Sequence, residues 1–247
     1  MSADHSMLSR RRAMFGGAAF GGLALSGCTA DELAQGLELL GSAGLTQTEA
    51  AAGIKEALRV GTGAAVSTLG QAGGYLADPK VRIPLPSKLA DARNAMSAIG
   101  LGSLIDDVEV KMNRAAEAAA PQAKSIFGDA ISQLTVQDAV DIVRGPTDAA
   151  TQYFQRTMTP SLVNVFTPPM RDQLNKTGAM GAFDALLARV NSIPLAPQLG
   201  ANIKSDIVAH GVTKALDGLF FYVGEEEGKI RANPAAYSSA ILRRVFS

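Results

Sequence analysis

Apolar residues recur every three to four positions along most of this chain, and short breaks bearing Gly, Pro or helix-capping residues separate the stretches. Thr46-Gln47-Thr48-Glu49 is a capping box with Leu45 placed as its staple. It predicts a helix to about Leu69, with Ile54, Leu58, Ala65 and Leu69 near one face, stopped by Gly70, Gly73 and Gly74. From Asp78 to Pro86 the pattern changes: Val81, Ile83 and Leu85 alternate, and Pro84 and Pro86 bracket the last of them. Proline cannot donate to a sheet ladder, so this reads as an extended segment lying on a helical body.

Helical patterning then resumes. Ser87 to Ile99 is one predicted helix. Ser103 with Asp106 caps the next, which runs to about Ala120 with Leu104, Val108, Met112, Ala115 and Ala119 as its buried stripe. Pro121 begins a helix ending near Leu134, Thr135 with Asp138 caps another to Val143, and Gly145-Pro146 ends it. Thr147 to Met158 follows. Thr159-Pro160 and Thr167-Pro168 each fit an N-cap with proline in the first helical position, predicting separate helices over Ser161–Phe166 and Pro169–Lys176. Gly181–Val190 is predicted helical and Ile193–Gly200 a Pro-bearing loop. A long helix then covers about Ser205–Arg231, Asn233-Pro234 breaks it, and Ala235–Val245 forms the last helix. The expectation is an all-α, single multi-helix globular domain with a short extended Pro-containing segment.

Composition narrows the chemistry. Tryptophan is absent and only 5% of residues are aromatic, against 25 glycines, which favours close helix–helix contact. The chain has one cysteine, Cys28, and two histidines, His5 and His210. A zinc site of Cys/His type lacks ligands, no disulfide can form within the chain, and a Ser-His-Asp site would have to use His210. No cofactor motif is present, and none is expected to bind. The near-even balance of basic and acidic side chains argues against nucleic acid as a partner, which needs a concentrated basic face.

The first 28 residues form a distinct unit. Arg10, Arg11 and Arg12 precede a Gly/Ala-rich apolar run from Ala13 to Leu25, which ends in Leu25-Ser26-Gly27-Cys28. This resembles a bacterial lipoprotein signal, cleaved before a cysteine that then carries lipid. The resemblance implies a signal peptide over 1–27, a tether over 28–44 and a helical domain over 45–247. It also implies a lipid-modified Cys28 inserted in a bacterial membrane, with the domain facing the periplasm. Arg11-Arg12-Ala13-Met14-Phe15 also resembles a twin-arginine export signal, and the general secretion route stays open beside it. Thr29 in place of aspartate leans toward the outer membrane. Removing residues 1–27 takes away Arg10, Arg11, Arg12 and Asp4, leaving 20 basic and 22 acidic side chains of the 23 and 23 in the whole chain.

Few residues suggest reactivity. Asn113, Arg114 and Glu117 share one helix, with Arg114 and Glu117 spaced to pair; together they read as a polar pocket with an anion-binding Arg or as an ordinary surface bridge. Asp217 lies among Leu216, Leu219 and Phe220, as a buried general acid or the partner of an Arg such as Arg114. Glu225, Glu226 and Glu227 spread around about 200° of helix surface and cannot converge on one site. Asp206 one turn before His210 reads as a surface pair, and Gly70-Gln71-Ala72-Gly73-Gly74 as a helix terminus. Tyr153-Phe154 and Phe220-Phe221-Tyr222 read as core.

Five blocks taken together resemble a bacterial family, domain of unknown function 4197. They are GLTQTEAAAGIKEALRVG from Gly44, VRIPLP from Val81, MNRAAEAAAPQAKSIF from Met112, DAATQYF from Asp148 and KALDGLFFYVGEEEGKIRANPAA from Lys214. The resemblance implies a helical envelope protein and carries no catalytic residues. The function expected is therefore a non-enzymatic binding or scaffold role at the envelope, with another envelope protein or an apolar ligand as partner. A carrier of lipid and a carboxylate-based hydrolase or transferase using Glu117, Asp217 and Arg114 are the alternatives.

Overall fold

The computed structural model describes residues 47–97, 102–176 and 202–233, together with Asp184, Leu187, Ala188 and Ser192. The signal segment, the tether, the Thr46 cap, the Pro-bearing loop and the final helix lie outside the described residues. The helix expected over 181–190 is described only at Asp184, Leu187 and Ala188, which are helical.

Seven α-helices lie among the described residues: α1 (Gln47–Leu69), α2 (Ser87–Ser97), α3 (Gly102–Ala119), α4 (Ala123–Gln133), α5 (Val136–Arg144), α6 (Ala149–Lys176) and α7 (Ile203–Ala232). No strand occurs among them. Most boundaries fall where local chemistry places them. Thr135, in extended backbone, accepts the Asp138 N–H while Asp138 accepts the Thr135 N–H, the complete capping box that opens α5. α1 ends at Gly70, and Gly73 takes a φ of +91°, a left-handed turn that glycine adopts without steric cost. Pro121 sits in a 3-10 turn, Ala120–Gln122, that joins α3 to α4.

α6 packs along α7 and α3, while α1 lies against α7 and α4. The buried stripe of α6 is Phe154, Met158, Leu162, Phe166, Met170 and Leu174. Phe154 meets Phe127 of α4 edge-on at 5.4 Å between ring centres. Ala115, Ala116, Ala119, Ala120 and Ala123 are all fully buried, so small side chains let the helices approach. Two glycines of α7 do the same. A Cβ on Gly211 would stand 2.9 Å from the Met170 sulfur, and one on Gly218 would stand 2.9 Å from the Tyr75 ring and 3.0 Å from Val81.

Two expected boundaries are corrected. Pro160, Pro168 and Pro169 do not open new helices; α6 runs through them for 28 residues. Pro160 and Pro168 are exposed, as are Arg156 and Asn164, whose carbonyls lose their amide partners. Water can serve those carbonyls, so each missing bond costs little there. Thr159 and Thr167 do not cap either: their hydroxyls donate backwards to Gln155 O at 2.6 Å and Val163 O at 2.7 Å. The i, i+4 apolar stripe facing α3 and α7 keeps the helix going.

Candidate functional site

The polar side chains of α3 and α7 converge on one feature, the strap over residues 70–86. Ile83 within it is fully buried and outside any helix or turn. Its backbone has no partner strand, and the side chain of Asn113 supplies one: Ile83 N–H donates to Asn113 Oδ1 at 2.9 Å, and Asn113 Nδ2 donates to Ile83 O at 2.9 Å. One turn along α3, Glu117 is 5% exposed, and its Oε1 accepts the backbone N–H of Tyr75 at 3.3 Å and of Leu76 at 3.1 Å. Its Oε2 takes the Arg114 guanidinium at 2.6 Å. Burial raises the pKa of Glu117, but the N–H groups of Leu76 and Gly73 and the Arg114 charge outweigh it and hold the carboxyl below the ordinary value. Glu117 is therefore ionised at neutral pH, with no proton to give and its acceptor sites occupied.

From the α7 side, the Tyr75 hydroxyl donates to Ala215 O at 2.8 Å, and burial pushes its pKa up. The Tyr222 hydroxyl donates to Asp78. That bond, with partial burial and the charges of Asp78 and Glu225, lifts the Tyr222 pKa to about 12. His210 reaches the strap too, with Nε2 2.8 Å from Pro84 O. A carbonyl only accepts, so Nε2 carries the proton. The surface pair expected with Asp206 is replaced by this bond.

Asn113 and Glu117 thus hold the strap backbone as a clamp, with Arg114 paired to Glu117. Asp217 is not part of it. Its side chain is 59% exposed and pairs with Lys214 on its own helix at 2.9 Å, neither buried nor joined to Arg114. Helix phase explains this: Leu216, Leu219 and Phe220 face the core, and Asp217 shares the opposite face with Thr213, Lys214 and Phe221, all exposed. Phe221, expected in the core, is 40% exposed beneath the Lys80 ammonium.

A second clamp was not singled out from sequence. The three glutamates diverge as expected: Glu225 is exposed, Glu226 pairs with Lys229 at 2.6 Å, and Glu227 is 5% exposed. Glu227 accepts the N–H groups of Ala150 and Thr151, each at 2.9 Å, and the Thr151 hydroxyl at 2.7 Å, capping the start of α6 from another helix. Arg231 bonds Glu227 at 2.9 Å and donates to Ile142 O at 2.8 Å and, more weakly, Val143 O at the end of α5. The available sequence signal was the Glu227–Arg231 spacing of four.

An open groove of about 500 Å³ runs between α6 and α7. α6 lines it with the i, i+4 row Val163, Thr167, Arg171 and Asn175. Opposite lie Lys204 and Ser205, then Val208 and Ala209, then Val212 and Thr213. The helices run antiparallel, with Met170 beside Gly211 and Thr151 beside Glu227. Arg171, Asn175 and Lys204 therefore gather at one end and Val163 and Val212 at the other. Among the described residues no carboxylate lines the groove. Asp184 pairs with Lys204 at 2.6 Å, and among the described residues Arg171 forms no ion pair. No group of three or more His, Cys, Asp or Glu side chains among the described residues could hold a metal ion.

A family model described as protein of unknown function (DUF4197) matches residues 44–247. The chain belongs to that family. The match takes in both clamps and the groove, so these are features of a DUF4197 domain. Searches of curated proteins and of solved structures give no match.

Proposed function

We propose that this DUF4197 protein is a non-enzymatic ligand-binding protein of the bacterial envelope, tethered by a lipid on Cys28, with the α6–α7 groove as its binding site. The observation that carries this reading is the division of polar groups in the fold. Glu117, Glu227, Asn113 and Arg231 are committed to backbone partners, whereas the groove is open, largely apolar and lined by cationic and amide groups at one end. Its volume lies in the range of small-molecule sites. The carboxylate-based hydrolase loses its motivation, because Asp217 points to solvent away from Glu117.

Native mass spectrometry of the chain extracted from its own cells tests the binding role. Retention of a small molecule by the wild type, and its loss from Ala209→Trp, which fills the groove, is the expected result; a bare wild-type chain overturns it. Among the described residues no helix is long and apolar enough to cross a membrane. The proposed attachment is therefore tested separately: Cys28→Ala should leave the membrane fraction or remain uncleaved, and a cleaved variant that still sediments with membranes overturns lipid as the anchor.

A further inference from the structure

We infer that the ligand of the α6–α7 groove is a single-chain amphiphile with an anionic head, a carboxylate or a phosphate, whose apolar tail lies along Val208 and Val212. The inference rests on the binding role proposed above and names its substrate class.

Charge and shape carry it. The α6 row from Val163 to Asn175 spans ~18 Å at 1.5 Å per residue, the reach of a medium-length acyl chain. Val163 is 38% exposed at the apolar end, an uncovered branched side chain on the groove wall. On α7, Val208 is half-buried and Val212 is almost fully buried, and both line the groove. At the other end, Arg171 offers a planar fork of donors and Lys204 an ammonium, with Asn175 beside them. With no carboxylate on the wall, an anion meets cations and amides there. Asp184 already holds Lys204 from outside the groove. It acts as a stand-in anion that competes with a ligand head for the same ammonium. A neutral ligand would use the valines and leave the Arg171 guanidinium at the groove end without a use.

The competition gives a sign that a purely structural ion pair would not produce. Photoactivatable dodecanoate, dodecyl phosphate and dodecanol are added in turn to native membranes containing the full chain, and cross-linked peptides are mapped. Both anionic probes should label the 163–175 and 204–213 peptides more strongly than dodecanol. Arg171→Glu with Lys204→Glu should reduce anionic labelling about tenfold, roughly 1.4 kcal/mol, with dodecanol labelling unchanged. Asp184→Asn should raise anionic labelling. Unchanged dodecanol labelling in each variant also shows that the groove is still folded. Equal labelling by all three probes overturns the anionic head and leaves the groove a binding site. Labelling by only one anionic probe identifies the head as carboxylate or phosphate. No labelling of these peptides by any probe overturns this inference, while the binding role falls only if the wild-type chain is also bare in native mass spectrometry.

Discussion

The two buried glutamates solve the same problem with different neighbours. Glu117 and Glu227 are each 5% exposed, each accepts two backbone N–H groups, and each pairs with an arginine on its own helix. Their arginines differ. Arg114 is 45% exposed and among the described residues bonds only Glu117, whereas Arg231 is 11% exposed and also serves two carbonyls of α5. The Glu117 clamp fastens a strap to a finished helix body. The Glu227 clamp locks α5, α6 and α7 together at the Gly145-Pro146 turn. A buried carboxylate is thus a local fastener or a keystone according to what its cation touches.

The largest effect should come from Arg231→Ala. It strands a buried carboxylate and two α5 carbonyls, and should cost about 3–5 kcal/mol in urea unfolding. Asn113→Leu should come next, at about 2–3 kcal/mol, because it orphans the Ile83 N–H and carbonyl in a buried place. Limited proteolysis should then cut near residues 82–86 while the helices persist. Glu117→Gln sharpens the comparison through pH. A carboxyl whose folded pKa lies below its unfolded value stabilises the fold above the ordinary value of 4.5, and that stability is lost as pH falls through the lower folded value. As pH falls below the ordinary value of 4.5, the wild-type Tm should drop more steeply than that of Glu117→Gln, the difference isolating this clamp. Arg114→Ala should be smallest, under about 1 kcal/mol, since a half-exposed guanidinium is already solvated. A loss as large as that from Arg231→Ala would erase the distinction between fastener and keystone.

Local signals in the sequence predicted local structure. The Thr135–Asp138 box, the glycines after Leu69 and the apolar phase of α7 each act within one or two turns, and each element lies where they place it. The prolines of α6 misled because their helix-starting chemistry is real but was outvoted by the stripe from Phe154 to Leu174. Asn113 and Glu117 stood out by residue type, but their partners are backbone groups of Tyr75, Leu76 and Ile83, which have no side-chain signature. Glu227 caps a helix by accepting from Ala150, 77 residues earlier, a relation that only tertiary register creates. The groove was likewise invisible, since it needs the facing rows of two antiparallel helices.

The Asn113 bridge has a consequence for the company the protein keeps. An extended segment with free amides and carbonyls invites a strand from another chain, the first step toward aggregation. This one offers little to join: the Arg82 N–H goes to Asp78, both groups of Ile83 go to Asn113, and the Pro84 carbonyl goes to His210. The Pro86 carbonyl starts α2, and neither proline has an N–H. A single asparagine thus does for Ile83 what a neighbouring strand would do, and it leaves fewer backbone groups for another chain to join.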